Sequence, residues 1–260
     1  MGHGPGIPSN VLRTYDALTR DGLEGDVLTR LAASRCTVFW ADLTIFDDRY
    51  TALLSAAELR RAARLAKGEV RERFVLGAAL LRCAASASTG IDPAEVEIER
   101  SCRWCLAPHG KPRLRGEARG WHASVTHSGS LVGVAVTRAG RVGLDVEVAA
   151  ARDYRALFAS VLAADEPRPH SLRDFLGYWT RKESVLKATG EGLVRPMHDV
   201  VVTSPSAPPR LISYSGEPAS ATMIDLRPER EYVSALTVFA SQPVAVDQQH
   251  VCALPLERSA

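Results

Sequence analysis

The sequence predicts an α+β protein built from two similar halves, and three observations predict it. Short segments that alternate apolar and polar residues recur from Val96 to Val148 and again from Val200 to Phe239. Helical patterning precedes each set, so helices followed by strands occur twice, over roughly 10–140 and 141–245. The chain has 260 residues, enough for one large domain or two of about 130 residues each. The reading therefore divides it into a Gly/Pro-rich tail (1–10), a first α+β half (11–140) and a second (141–260). No internal sequence repeat is visible.

Composition narrows the function classes. At 46% hydrophobic and 24% charged residues, the chain is ordinary for a globular protein and unlike a disordered, collagenous or disulfide-framed one. Lys and Arg exceed Asp and Glu by 32 to 30, a formal +2, too balanced for a general nucleic-acid or membrane-surface binder. Any anionic partner must then meet a local basic patch. Five cysteines, odd in number and sparse, with no secretory apolar region, point to a reducing cytoplasm. No apolar run nears the ~20 residues of a membrane helix.

Taken in order, CTVFWADL (36–43) is β-branched and aromatic and reads as a buried strand, preceded by a helix. Ser55 and Glu58 have the spacing of a capping box, in which hydroxyl and carboxylate each satisfy an orphan amide. Leu59, Ala62, Ala63 and Ala66 then share a face, and Gly68 interrupts. A second helix buries Val70, Phe74, Ala78 and Leu81. The opposite faces carry Arg60, Arg61, Arg64, Lys67, Arg71, Arg73 and Arg82 against Glu58, Glu69 and Glu72; such a run is also what a solvated helix face looks like. Segments 121–126, 131–137 and 142–148 read as strands of an antiparallel meander, with turns at Ser128-Gly129 and Ala139-Gly140. A helical piece (152–163) and a Pro-rich loop lead to the strongly patterned helix from Ser171 to its Gly190 stop. Four strands follow, HDVVVT, PRLISYS, ATMIDL and EYVSALTVFA.

Three constellations could carry chemistry. In a strand, Asp145 and Glu147 project from one face while Val146 packs inward, and paired hard carboxylates suit Mg²⁺. By itself, a D-x-E pair also fits a solvated strand face. On the long helix, Glu183 and Lys187 lie at i and i+4, a spacing that also merely stabilises an exposed helix. Gly110-Lys111-Pro112 and Thr126-His127-Ser128-Gly129 are turn-like segments beside strands, where backbone and hydroxyls can meet a polar ligand. Neither is a phosphate-binding G-x-x-x-x-G-K-[ST] loop.

The order and flanks of GKPRL, SVTHSGS, VGLDVE and WTRKESVLKATGEGL resemble the 4′-phosphopantetheinyl transferases of the surfactin-synthetase-activating (Sfp) type. The family motifs run roughly G-[KR]-P, F-N-x-S-H-[ST], G-[IVL]-D-[IV]-E and [FW]-x-x-K-E-[AS]-x-x-K-x-x-G. The likeness spans residues 55–193 when the basic helices are included. Ala123-Ser124 replace the usual Phe-Asn and Thr126 replaces a serine, so a hydroxyl is kept at both polar positions.

The resemblance implies two pseudo-symmetric α+β halves with the active site at their interface. It implies transfer of the phosphopantetheinyl arm of coenzyme A to a serine of apo acyl or peptidyl carrier proteins of polyketide, peptide or fatty-acid synthesis. Mg²⁺ would be held by Asp145, Glu147 and Glu183; Glu183 would also act as base, and Lys187 would stabilise the pyrophosphate. Lys111, Pro112, Thr126 and His127 would line the coenzyme A nucleotide. Arg73, within R-x-x-L-G, would meet its 3′-phosphate, with Arg61 and Arg64 beside it. A cytoplasmic monomer is expected. A metal-dependent phosphohydrolase and a non-catalytic coenzyme A or carrier-protein binding module are the rival readings. Left over is Cys102-x-x-Cys105-x₃-His109, three zinc-type ligands with no obvious fourth; the spacing alone favours thiols and an imidazole that order a loop.

Overall fold

Alternation along 36–43 decides the centre of the molecule. In β1 (Arg35–Asp42) both faces are covered: Val38 and Trp40 enter one apolar cluster, Phe39 and Ala41 another. The structure, a computed structural model, describes residues 35–256 except Arg103, Leu106, Pro108, Ala151 and Arg152. The described residues pack as one unit. The Gly/Pro-rich tail and the helix expected ahead of Cys36 lie outside the described residues.

The capping box forms as expected. Ser55 Oγ accepts from the Glu58 amide, and the Glu58 carboxylate accepts from the Ser55 amide, starting α1 (Ala56–Ala62). The helix ends there, so Ala62 is buried while Leu59, Ala63 and Ala66 face solvent, not the expected shared apolar face. Gly68, at φ +90°, starts α2 (Glu69–Thr89). Val70 sits in its first turn, before the helix reaches the sheet, and is 51% exposed; burial begins at Val75. Arg82 does not belong to the basic surface. It is buried, pairs with Glu58 at 2.9 Å, and donates to the carbonyls of Pro93 and Val96. Glu58 thereby ties α1 to α2.

The VEIER segment contributes only β2 (Ile98–Glu99). It is followed by β3 (Arg113–Leu114), β4 (His122–Ser128), β5 (Leu131–Thr137) and β6 (Arg141–Val148). Of the expected 152–163 helix, a 3₁₀ turn at Arg155–Leu157 and the short α3 (Phe158–Val161) form. Next, α4 (Leu172–Thr189) has a second capping box, Ser171 with Asp174, and ends on Gly190 at φ +79°. Strands β7 (Val200–Val202), β8 (Leu211–Tyr214), β9 (Glu217–Pro218), β10 (Thr222–Leu226), β11 (Tyr232–Phe239) and β12 (Ala245–His250) complete the α+β fold.

A six-stranded sheet has the order β12-β1-β5-β4-β3-β2, a second the order β10-β11-β6, and a third β7-β8-β9. The expected meander breaks after β5, because β6 leaves the first sheet and pairs with β11. Layers follow from the side-chain clusters. Helix α2 covers one face of the large sheet with Val75, Leu76, Ala79 and Leu80. Leu144, Val146 and Leu236 of the second sheet cover the other. Helix α4 lies on β6 and β11. A Cβ at Gly143 would fall 1.9 Å from the Ser184 carbonyl oxygen, so glycine is what lets helix and strand approach.

The two sheets are joined by side chains. The hydroxyls of Ser124, Thr126 and Ser128, on one face of β4, accept from the amides of Leu144, Val146 and Val148 at 3.0, 3.2 and 3.1 Å. These amides lie on the edge of β6 that faces away from β11. Three hydroxyls thus do the work of a missing strand backbone, since buried amides without acceptors are costly.

Candidate active site

On β6 the even residues pack inward and the odd residues, Gly143, Asp145 and Glu147, face α4. On α4, Glu183 and Lys187 project one turn apart toward that face. Asp145 and Glu183 are only 5% and 8% exposed. Lys187 Nζ lies 2.7 Å from Asp145 Oδ1 and donates to Thr126 Oγ1 at 3.0 Å. The other oxygen, Asp145 Oδ2, is buried with no hydrogen-bond partner among the described residues. Ser128 donates to Glu147 Oε2 at 3.0 Å.

Burial pushes the Asp145 carboxyl above its ordinary value, against the pull of Lys187 and Thr126. Glu183 is pushed up to about 7, first by burial and then by the charge of Asp145, with Glu147 adding to it and Lys187 opposing. A carboxylate so placed exchanges a proton near neutrality. The charges of Asp145 and Glu147 thus repel Glu183, and a cation between them would relieve that repulsion.

The donor chemistry fits a hard divalent ion: carboxylate oxygens only, one of them buried and orphaned. The three carboxylates do not, however, close into a tight trio. Among the described residues, the group whose ligand atoms all lie within 4.8 Å of one another is Cys102, Cys105 and His109. Since Mg²⁺ ordinarily keeps several waters, a looser carboxylate set remains compatible with it.

Thr126 and His127 are not in a turn, as expected, but within β4, and alternation sends them to opposite faces. Thr126 joins the carboxylates. His127 points to the α2 side; partial burial, then the charges of Lys187 and Arg73, hold its pKa below the usual value. Arg73 pairs with Glu69 at 3.2 Å, and its Nε is closed off from solvent without a partner among the described residues. Arg61 lies over the Phe74 ring at 4.9 Å, and Arg64 is exposed.

Lys111 has another task. Its ammonium donates to the carbonyls of Val142, Lys187 and Ala188 at 2.6, 2.8 and 2.9 Å, capping the C-terminal end of α4. Burial, with the charges of Arg141 and Arg113, pulls its pKa down to about 7. The head group is therefore engaged in the fold, and Lys111 with Pro112 contributes to the wall of a cavity of about 390 Å³ that reaches Lys187. A volume of that order suits a nucleotide-sized ligand.

Sequence reasoning missed Arg100. It lines this cavity, its Nε is buried without a partner among the described residues, and burial and the nearby Arg61 and Arg82 charges lower its pKa against the pull of Glu58. Its position ends the VEIER alternation, and no motif marks it.

A model of the 4′-phosphopantetheinyl transferase superfamily matches residues 141–237. The 4′-phosphopantetheinyl transferase HetI of Nostoc sp. is 30% identical over 205 residues, covering 74% of this chain and 82% of that protein. This chain belongs to the 4′-phosphopantetheinyl transferase superfamily. A 4′-phosphopantetheinyl transferase of Bacillus subtilis is 28% identical over 158 residues, 58% of this chain and 66% of its own length. The 4′-phosphopantetheinyl transferase AcpT of Salmonella typhimurium is 35% identical over 106 residues, 38% and 54%. The superfamily match contains β6, α4 and most of β11, and hence Asp145, Glu147, Glu183 and Lys187. Lys182, next to Glu183 in this transferase-family helix, plays a different part: it is fully buried, 2.6 Å from Glu166, and donates to the Val200 carbonyl.

Proposed function

We propose that this chain transfers the 4′-phosphopantetheinyl arm of coenzyme A to a serine hydroxyl of an apo acyl or peptidyl carrier protein. The new bond joins the serine oxygen to the β-phosphorus. The pyrophosphate bridge breaks, the serine proton goes to Glu183, and adenosine 3′,5′-bisphosphate leaves. The observation that supports this most is the facing arrangement of Asp145 and Glu147 on β6 with Glu183 and Lys187 on α4, inside the superfamily match.

Asp145, Glu147 and Glu183 would hold Mg²⁺, Asp145 through its orphaned Oδ2. When bound, the ion would neutralise charge on the phosphate oxygens. Glu183, which faces Asp145 and Lys187 from α4, would also accept the serine proton as general base. Lys187 would turn from Asp145 to the pyrophosphate and steady the charge on the leaving group. Arg73, with Arg61 and Arg64, would meet the 3′-phosphate, and Arg100 adds a half-buried guanidinium to the cavity wall. His127 would lie beside the nucleotide on the Arg73 side. Thr126 would position Lys187 and Asp145. The active site would then lie where the 11–140 half, through β4, meets the 141–260 half.

Chromatographic measurement of adenosine 3′,5′-bisphosphate, with and without an apo carrier, separates transfer from hydrolysis. Transfer predicts release that requires the carrier and its serine. Equal release without any carrier would favour the phosphohydrolase reading.

A further inference from the structure

The motif Cys102-x-x-Cys105-x₃-His109 stands apart from the carboxylates, and the structure gathers it. One ligand atom from each of the three residues lies within 4.8 Å of the other two, and Cys105 Sγ is 2.9 Å from His109 Nε2. The backbone amides of Trp104 and Cys105 hydrogen-bond to the Cys102 sulfur, which holds it near the Cys105 sulfur. The loop is tied at its ends: the Cys102 amide donates to the Ala107 carbonyl at 2.9 Å, and the Gly110 amide to the Arg100 carbonyl at 2.7 Å. A Cβ at Gly110 would fall 2.6 Å from the Ser101 carbonyl oxygen, so glycine permits that closure.

Among its described residues, little apolar packing holds this loop. Trp104 is 59% exposed, and Cys105 and His109 are exposed as well. Two thiols and an imidazole brought together at the surface need a different source of order, and a soft or borderline metal supplies it.

We propose that Cys102, Cys105 and His109 bind one zinc ion, with water in the fourth position. Zn–S bonds of about 2.3 Å and Zn–N bonds of about 2.0–2.1 Å in a tetrahedral site place sulfur and nitrogen roughly 3.5 Å apart. Cys105 and His109 would separate by about half an ångström from their present hydrogen bond. The two thiols lose their protons to solvent as the metal binds. This site and the carboxylate set select different ions, since thiolates favour zinc and carboxylates magnesium. Cys102, Trp104 and His109 also line the cavity that reaches Lys187, so the zinc would brace its wall. This role goes beyond the loop-ordering thiols that the spacing alone favours, and it does not depend on the proposed transferase activity.

The test is metal content of the untagged full chain, purified without chelators from zinc-supplemented culture. About one zinc per chain is expected, falling more than tenfold in C105S and in H109A, while C252S, at an exposed cysteine elsewhere, keeps its metal. In case a ligand variant fails to fold, Co²⁺ is added to the native chain stripped of metal. Tetrahedral d–d absorption together with thiolate-to-cobalt charge transfer is expected. Under a tenth of a zinc per chain with neither cobalt band would overturn the site. So would stoichiometric zinc that survives both C105S and H109A.

Discussion

Lys187 Nζ sits 2.7 Å from Asp145 Oδ1, so the ammonium of α4 occupies one oxygen of the very carboxylate whose other oxygen is buried and has no partner among the described residues. The pair is asymmetric, with the lysine side chain 29% exposed and the aspartate 7%. Lys187 can therefore swing toward an anion in the cavity it lines, while Asp145 stays fixed on its strand. If a cation then takes up Asp145, both halves of the broken pair are compensated, and no charge is left buried alone.

The three carboxylates should not be equivalent. Asp145 is short, buried and fixed on a strand, and Glu183 is assigned both ligand and base. D145A and E183Q should each lower turnover a hundredfold or more, on the order of 3 kcal/mol of barrier. Glu147, which already accepts from Ser128, has only the first task, and water can replace it. E147Q should cost less and recover partly at high Mg²⁺. Steady-state kinetics over a Mg²⁺ series checks this, and near-normal turnover of E183Q at saturating Mg²⁺ would refute the double assignment.

Stability should depend on pH through Glu183 when chelator removes divalent ions. Its folded pKa, about 7, lies above the ordinary 4.5. Between these values the folded chain holds more protons than the unfolded chain, so stability falls as pH rises. The contribution is fully present below about 4.5 and lost above about 7. E183Q removes it. Relative to the native chain, E183Q should gain stability between pH 5 and 8 by at most about 3 kcal/mol. Denaturant melts at the two pH values measure this; parallel pH profiles would mean that Glu183 is not raised.

Thr126 serves the fold and the site with one oxygen. T126V keeps the shape but leaves the Val146 amide without its acceptor and Lys187 without one of its two. A loss of about 1–3 kcal/mol is expected, with T126S close to the native chain. Urea melts decide it, and a T126V loss under about 0.5 kcal/mol would mean that the hydroxyl ladder does not hold β6.

Lys111 distinguishes a structural from a ligand-binding ammonium. K111M takes the ammonium from two carbonyls at the end of α4 and one of β6 and should destabilise the chain by about 2 kcal/mol or more. Calorimetric melting and coenzyme A titration together settle it. Unchanged stability with weakened coenzyme A binding would return Lys111 to the nucleotide.

Much of this arrangement is legible in the sequence because it rests on local rules. The Ser55–Glu58 capping box, the Ser171 cap, the Gly190 stop and the one-faced projection of Asp145 and Glu147 follow from spacing alone. The departure of β6 from the meander does not. Ser124, Thr126 and Ser128 look like ordinary strand alternation, and nothing local says that their hydroxyls will replace a backbone ladder. Strand β12, AVDQQH, pairs parallel with β1 but shows no apolar alternation, as expected of an edge that is half solvated. The family resemblance places Lys111 at the nucleotide, whereas its three carbonyl acceptors come from β6 and α4, distant in sequence. The exposure of Val70 reflects where α2 first meets the sheet, which helical periodicity alone cannot locate.

The central claim is group transfer, and the mass of the acceptor reads it most directly. An apo carrier protein incubated with coenzyme A, Mg²⁺ and this chain should gain the mass of one phosphopantetheinyl arm, on its serine, and the gain should disappear with D145A or E183Q in the same interval. A carrier of unchanged mass after incubation with the native chain, whether coenzyme A has been cleaved or only bound, would contradict the account.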